Sequence, residues 1–390
     1  MYHIQTFNHI AQEGLNLFDQ RYSINVSENP DAIILRSHIL KNHTFSPNLK
    51  AIARAGVGIN NIPVDKATEN GVVVFNTPGA NANAVKEMVI AGMLLSSRPI
   101  LQSHLWLKTL ESKNLEKDVE NHKSQFKGYE LEGKTLGVIG LGNIGSMVAN
   151  DAYRLGMNVI GYDPYVSVHT AWNISRRVKR ALSLDEILQE SDIISIHIPL
   201  NQDTKNYIST SEIKKMKEGV ILLNFSRREL IDKDALLKAL NTHHIKNYVT
   251  DFPDQDLLKI KNVLTFPHLG ASTFEAELNC AKAAVRTLIH FLETGNIINS
   301  VNFPDMELTF NSSTRFTIIH KNIPKMLGRI SNIAGKFNVN IENMMNRNSG
   351  EYAYTIVDIK EQQPETIYNL NDALSKIDGV IKTRIIHNSK

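Results

Sequence analysis

Short apolar runs, each closed by glycine, proline or a polar cluster, recur along this chain with helix-spaced apolar positions between them. The runs 31–35 (DAIIL) and 72–75 have the continuous hydrophobicity of strands buried on both faces of a parallel sheet, and 49–53 lies between them. Polar or turn residues follow each: Arg36-Ser37, then Arg54-Ala55-Gly56-Val57-Gly58, then Asn76-Thr77-Pro78-Gly79. A helix is expected over 84–97, capped by Asn83, with Met88, Ala91 and Leu95 on its apolar face. After a polar, charged stretch at 101–127, read as an exposed helical connector or an oligomer contact, the strand pattern resumes at 135–139, 158–162, 192–196, 220–223, 248–250 and 263–266. Ser272-Thr273-Phe274-Glu275 fits a capping box and opens a helix running through Ala284, Leu288 and Leu292 to Gly295. The rhythm then changes. A strand over 315–320 precedes a helix from Pro324 with Met326, Leu327, Ile330, Ile333, Ala334 and Phe337 on one face. Strands over 338–345 and 352–359, a helix over 364–377 and a strand over 380–386 complete a βαββαβ order.

The expected fold is therefore α/β, with two doubly wound parallel sheets and a small ferredoxin-like module behind them. Residues 1–95 and 272–300 would form one discontinuous lobe, 96–271 a second, 301–314 a linker and 315–390 the module, with an active cleft between the lobes.

Composition narrows the function classes. A formal charge of +3 over 390 residues, with Lys and Arg scattered, argues against a nucleic-acid partner. The single Cys280, among alanines, excludes an intrachain disulfide and a cysteine metal cluster and reads as a buried structural thiol. The longest apolar run, 88–95, is too short to span a bilayer, so a cytoplasmic protein with no membrane partner is expected.

The most specific chemistry lies at 133–163. A strand leads into Gly140-Leu141-Gly142-Asn143-Ile144-Gly145, a helix follows, and a second strand ends at Asp163. Glycines there permit a tight turn and let a pyrophosphate approach backbone N–H groups at a helix N-terminus, where the dipole favours anions. Asp163 is placed to accept from ribose hydroxyls, and the nearest following cation is Arg176, so NAD is preferred over NADP. The later strands end at His197-Ile198-Pro199-Leu200, Asn224-Phe225-Ser226-Arg227, Asp251 and Pro267-His268-Leu269-Gly270. In a parallel sheet those ends share one edge, which brings an arginine, an acidic loop and a histidine to the same place. Imidazole titrates near working pH and suits proton transfer, and guanidinium grips a carboxylate with a planar fork. Asp251, Asp254 and Asp256 are all near enough in sequence to pair with the imidazole, and the sequence does not choose between them.

These stretches, together with ARAGVGINN, VVFNTPGAN, GKTLGVIGLGNIG, LLNFSR, VTDF and PHLGAS, resemble the D-isomer-specific 2-hydroxyacid dehydrogenase family over nearly the whole chain. The resemblance implies catalytic roles for Arg227 and His268, with Asp256 as the imidazole's partner and Asp251 beside the nicotinamide. Asp256 stands where the family usually has Glu, one methylene longer, which leaves Asp254 as the rival. It implies NAD contacts at Gly140, Gly142, Asn143, Ile144, Gly145, Asp163, Pro199, Asn224, Phe225, Ser226, Asp251 and Gly270, and substrate contacts at Arg36, Arg54, Ala55 and Gly56. Arg228 replaces a common glycine and adds a cation. The C-terminal module resembles the family's ACT domain, with His320, Asn322 and Asn340 spaced as ligands of an amino-acid effector such as L-serine, although Lys325 replaces a glycine there. Members with this module act on a phosphorylated 2-hydroxy acid, D-3-phosphoglycerate, as homodimers or homotetramers. A sibling activity on glycerate or lactate, or an NAD-sensing interaction protein on the same scaffold, are the alternatives.

Overall fold

The computed structural model describes residues 1–360 and 362–388, and of residue 169 the backbone alone. Among these residues the chain forms two compact units, 1–80 with 277–390, and 81–276.

The first unit carries a five-stranded parallel sheet of β1 (Tyr2–Phe7), β2 (Tyr22–Ile24), β3 (Ala32–Leu35), β4 (Ala51–Arg54) and β5 (Val73–Phe75), in the order β2-β1-β3-β4-β5. Ile33, Leu35, Ile52 and Val74 point to one core and Ile34, Ala53, Val73 and Phe75 to the other. The helix Phe274–Thr294 returns to this unit, burying Ala281, Ala284, Val285, Leu288 and Phe291 in the second of these cores. It lies so close to the chain near Gly14 that a Cβ there would stand 2.6 Å from the Ala281 methyl. Its cap is Thr273, whose hydroxyl accepts from the Ala276 N–H at 3.1 Å, one residue later than the expected box.

The second unit holds a seven-stranded sheet of β6 (Thr135–Ile139), β7 (Asn158–Tyr162), β8 (Lys179–Arg180), β9 (Ile193–Ile196), β10 (Val220–Asn224), β11 (Ile245–Thr250) and β12 (Val263–Thr265). Its order is β12-β11-β10-β9-β6-β7-β8, and every recorded pairing is parallel. The helix Ala82–Ser97, expected with the first lobe, packs here instead. Its fully buried residues there are Val85, Val89, Gly92, Met93 and Ser96; of the expected face, Met88 packs half-buried against the same core and Ala91 and Leu95 do not join it. Gly92 explains the placement, since a Cβ would meet Val249, Leu223 and Phe225 at 3.1 to 3.3 Å, and Asn247 ties the helix end by donating to Ser96 O at 2.8 Å. Asn83 does not cap it: its side-chain amide donates to Glu87. The helices Ile100–Thr109 and Leu115–His122 bury no residue.

The C-terminal module has the expected βαββαβ order and an antiparallel sheet β14-β15-β13-β16, from β13 (Thr314–Lys321), β14 (Ile341–Ser349), β15 (Tyr352–Ile359) and β16 (Val380–His387). β14 starts and ends later than expected because the hairpin turns tightly at Ser349–Tyr352. One face of this sheet is covered by its own helices through Phe316, Ile318, Ile330 and Leu370; Ile319, Tyr354 and Ile356 of the other join the core around the helix Phe274–Thr294. The stretch read as a linker is packed: Phe303 and Met306 are buried, and the Asn302 side chain accepts from Val74 N and donates to Val72 O.

Arg315 is the largest fully buried side chain. It donates to Asp358 twice, at 2.6 and 2.8 Å, to Thr294 O at 2.8 Å, to Asn296 Oδ1 at 3.1 Å and to Thr309 O at 3.2 Å, and lies 4.4 Å over the Phe310 ring. The guanidinium thus ties the end of the long helix, the supposed linker and the module together. No helix among the described residues is long and apolar enough to cross a membrane. Asp358→Ala would leave a buried cation without its counter-charge, and urea denaturation should show a loss of about 3–5 kcal/mol; an unchanged midpoint would show the pair to be dispensable.

Candidate active site

The strand order of the second sheet reverses between β6 and β9, and ligands of open α/β sheets bind outside the carboxyl ends at such a point. β6 runs into Gly140, at φ +89°, where a Cβ would lie 2.7 Å from the carbonyl oxygen of His197, the residue that follows β9. A Cβ on Gly145 would lie 1.9 Å from Gly140 O. Nothing lies within 4 Å of the Cβ position of Gly142, which caps the helix Asn143–Arg154. Backbone is therefore pressed against backbone beneath the loop, while its outer side stays open at the N-terminus of a helix. That fits a pyrophosphate. Asp163, at the end of β7, accepts from the Leu141 N–H at 2.9 Å through one oxygen and from the Tyr165 N–H at 2.8 Å through the other, so the acid meant for the ribose also fixes the turn.

His197, to which the sequence reading gave no role although it opens the HIPL stretch, lies at the same edge. Its Nε2 pairs with Ser195 Oγ at 2.8 Å, and its Nδ1 is buried with no partner among the described residues. Burial pushes the imidazole down to about 3. Pro199 follows, its carbonyl accepting from the Thr204 hydroxyl.

At the end of β10, Asn224 Oδ1 accepts from the Ser226 N–H at 3.1 Å and its amide donates to Arg227 O at 2.8 Å, closing the turn; Phe225 is buried and the Ser226 hydroxyl donates to Ile196 O. Arg227 is half-buried and anchors Nη1 on Ser226 O at 2.7 Å. At the end of β11, Asp251 is 1% exposed: Oδ2 accepts from the Gly270 N–H at 2.8 Å, while Oδ1 has no partner among the described residues. Burial raises this carboxyl above the usual range, against the pull of the Gly270 N–H, His268 and Arg227. A Cβ on Gly270 would sit 2.8 Å from the same oxygen. An orphaned buried acceptor in Asp251 suits an amide donor such as the nicotinamide carboxamide.

His268 follows β12 in the left-handed region, φ +53°, a conformation that costs a non-glycine residue and that clusters at functional sites. Its N–H donates to Asp251 O at 2.9 Å, and its exposed ring lies 5.0 Å from Phe252. No hydrogen bond or ion pair joins it to Asp254 or Asp256 among the described residues. Asp256 pairs with Lys233 at 2.7 Å and Lys259 at 3.9 Å; Asp254 pairs with Lys233 at 2.9 Å and with Arg228 at 3.8 Å, and Lys233 holds its carboxyl below the usual range. The expected Asp256–His268 pair is thus not formed, because Lys233 on the neighbouring helix outcompetes the imidazole for both acids, and Arg228 faces Asp254 and Glu229.

In the first unit, Arg36 pairs with Glu277 at 2.7 Å, and Arg54 Nε donates to Arg36 O at 2.9 Å. Ala55 is buried, and Gly56, at φ +152°, donates its N–H to Thr77 Oγ1. In the module, His320 is 2% exposed with Nδ1 on Lys321 O and Nε2 on Thr355 Oγ1, each at 2.8 Å, and burial lowers its pKa. Asn322 donates to Gly350 O at 3.3 Å, Asn340 is exposed, and Lys325 has φ +68°.

Because the His197 ring stays neutral down to about 3 in the fold but takes a proton near 6.5 when unfolded, the unfolded chain binds more protons between those values. Stability should therefore fall as pH drops from 6.5 toward 3, and His197→Asn should flatten that slope in denaturation series; equal slopes would remove the buried-imidazole account.

The residues 90–270 match the family model of the D-isomer specific 2-hydroxyacid dehydrogenase NAD binding domain. D-3-phosphoglycerate dehydrogenase of Archaeoglobus fulgidus is 34% identical over 78% of this chain and 56% of its own length. The enzyme of that name from Escherichia coli is 31% identical over 87% of this chain and 82% of its own. The NAD+-bound 3-phosphoglycerate dehydrogenase structure of Entamoeba histolytica superposes with a TM-score of 0.60 at 25% identity, over 77% of this chain and 98% of that one. With relatives this similar over most of both lengths, the chain belongs to the D-isomer-specific 2-hydroxyacid dehydrogenase family.

Proposed function

We propose that this chain oxidises D-3-phosphoglycerate to 3-phosphohydroxypyruvate, the entry step to serine. The observation that carries the reading is the sheet edge itself: parallel register sets the ends of β10, β11 and β12 side by side, so that Arg227 follows β10 while the buried Asp251 at the end of β11 holds the His268 N–H on its carbonyl and the Gly270 N–H on its carboxylate. Bound NAD would supply the acceptor for the hydride that leaves C2 of the substrate. Gly140, Gly142, Asn143, Ile144 and Gly145 would hold its pyrophosphate, Asp163 its adenosine ribose, and Asp251 its carboxamide end. Arg227, braced on Ser226 O, grips the α-carboxylate and draws charge toward the developing carbonyl. His268 takes the hydroxyl proton as the C–H bond breaks. Its ring is oriented by Phe252 and by the left-handed backbone; Asp256 becomes its partner only by leaving Lys233. Arg36 and Arg54 are the candidate phosphate ligands. The names of the relatives support this substrate over glycerate or lactate.

The C-terminal module would serve as an ACT-type effector domain, a proposal supported by its βαββαβ order. Its binding of L-serine has less support, because His320 has both ring nitrogens bonded inside the fold. A homo-oligomer is supported by the helix Ile100–Thr109 and the one after it, where Leu101, Leu105, Leu107 and Leu115 are exposed.

Steady-state assays with NAD and D-3-phosphoglycerate, with and without L-serine, test the activity and the effector together. His268→Ala should lower kcat by about 10²- to 10⁴-fold with NADH binding retained; a fully active variant, or a wild type that prefers an unphosphorylated acid, would reject the assignment. Leu105→Glu should shift the oligomer toward monomer in light scattering, and an unchanged mass would place the interface elsewhere.

A further inference from the structure

The first sheet has a switch point of its own. Its order reverses between β1 and β3, and the chain leaves those strands at Asn8 and Arg36. By the rule that puts ligands outside the carboxyl ends at such a reversal, this corner is the ligand-binding corner of the first unit. Its chemistry is cationic: Arg36 and Arg54 are adjacent, with Arg54 Nε held on Arg36 O, and Gly56 passes so close that a Cβ would lie 3.2 Å from Arg54 Nη1. Between His9, Ile10, Arg36, Ala55 and Glu277 there is a cavity of about 10 Å³, room for roughly one water.

Glu277 is the anomaly in this corner. It projects from the start of the helix Phe274–Thr294, and its carboxylate lies 2.7 Å from Arg36 Nη1. A phosphate binding the Arg36 fork meets a carboxylate already on it, in a space too small for a phosphate. The pair is only partly buried, the side chains 38% and 35% exposed, so it is weakly held and readily exchanged.

We propose that Glu277 is a specificity-determining residue that acts as an internal competitor: it occupies Arg36 in the free enzyme and yields only to a strongly anionic terminus such as a phosphate. The inference rests on the phosphoglycerate reading above. A dianionic phosphate on two guanidinium groups regains more than the half-exposed carboxylate contact that it displaces. A substrate ending in a hydroxyl group leaves the Arg36–Glu277 pair intact and gains nothing from this corner. Glu277 thereby sets the affinity for phosphorylated substrate without touching the reacting carbon.

Glu277→Gln keeps the shape and removes the charge. Its KM for D-3-phosphoglycerate should fall about tenfold at low ionic strength and by less in high salt, as expected for loss of a like charge a few ångströms from the phosphate. kcat, the KM for NAD and the kcat/KM for D-glycerate should not change. In calorimetry without coenzyme, the variant should bind inorganic phosphate more tightly than wild type, and Arg36→Gln should bind it least. An unchanged or raised KM for phosphoglycerate, an equal shift for glycerate, or phosphate binding that ignores both substitutions would overturn the role of Glu277. If phosphate binding responds as expected but phosphoglycerate is not turned over, the substrate assignment fails and the competitor role stands.

Discussion

Backbone lies directly on backbone where β6 and β9 leave the second sheet, and the candidate site is arranged around that contact. Gly140 and Gly145 have no room for a Cβ, because His197 O and Gly140 O occupy the space. The turn is therefore tight enough to point the N-terminus of the helix Asn143–Arg154 outward, and the parallel register of the strands beside it carries Asn224, Asp251 and His268 to the same edge. Arg227 and His268 are placed by hydrogen bonds that end on this framework: Arg227 on Ser226 O, Ser226 on Ile196 O, Gly270 on Asp251, and His268 on Asp251 O.

Two sets of buried polar groups stand in contrast. Arg315 and Asp358 are fully buried with their hydrogen bonds made, and they join segments of the first unit that are distant in sequence. His197 Nδ1 and Asp251 Oδ1 are as deeply buried but unpartnered, and both lie along the edge where a dinucleotide would bring donors and acceptors of its own. A buried group without a partner is expensive, so such groups are retained where something else completes them. The His320 ring in the module, satisfied on both sides, belongs with the first kind.

The two sheets share one logic at different degrees of charge. Each has a switch point at its carboxyl edge; one is lined by glycines and open backbone N–H groups, the other by arginines with a glutamate among them. The glycine edge suits a ligand recognised through its pyrophosphate backbone, and the arginine edge one recognised through a compact anion. Lys325, left-handed at the start of the helix Met326–Lys336, holds a conformation that favours glycine.

The strands that carry the site were legible in the sequence because continuous apolar runs and their glycine or polar ends are local signals, and Gly140, Asn224, Asp251 and His268 sit at those ends. β1 and β2 were not, since β1 alternates with polar residues and buries only Ile4. The helix Ala82–Ser97 was legible as a helix but not in its allegiance, because Gly92 reveals which core it serves only when Val249 and Leu223 are opposite it. The same holds for charge. Sequence placed Arg36, Arg227 and His268 at strand ends by period and register, yet ion pairing is a competition between side chains far apart in the chain. That Lys233 takes Asp256 from His268, that Glu277 takes Arg36, and that Arg315 finds Asp358 were decided by tertiary packing alone, which sets the distances on which Coulomb energy depends.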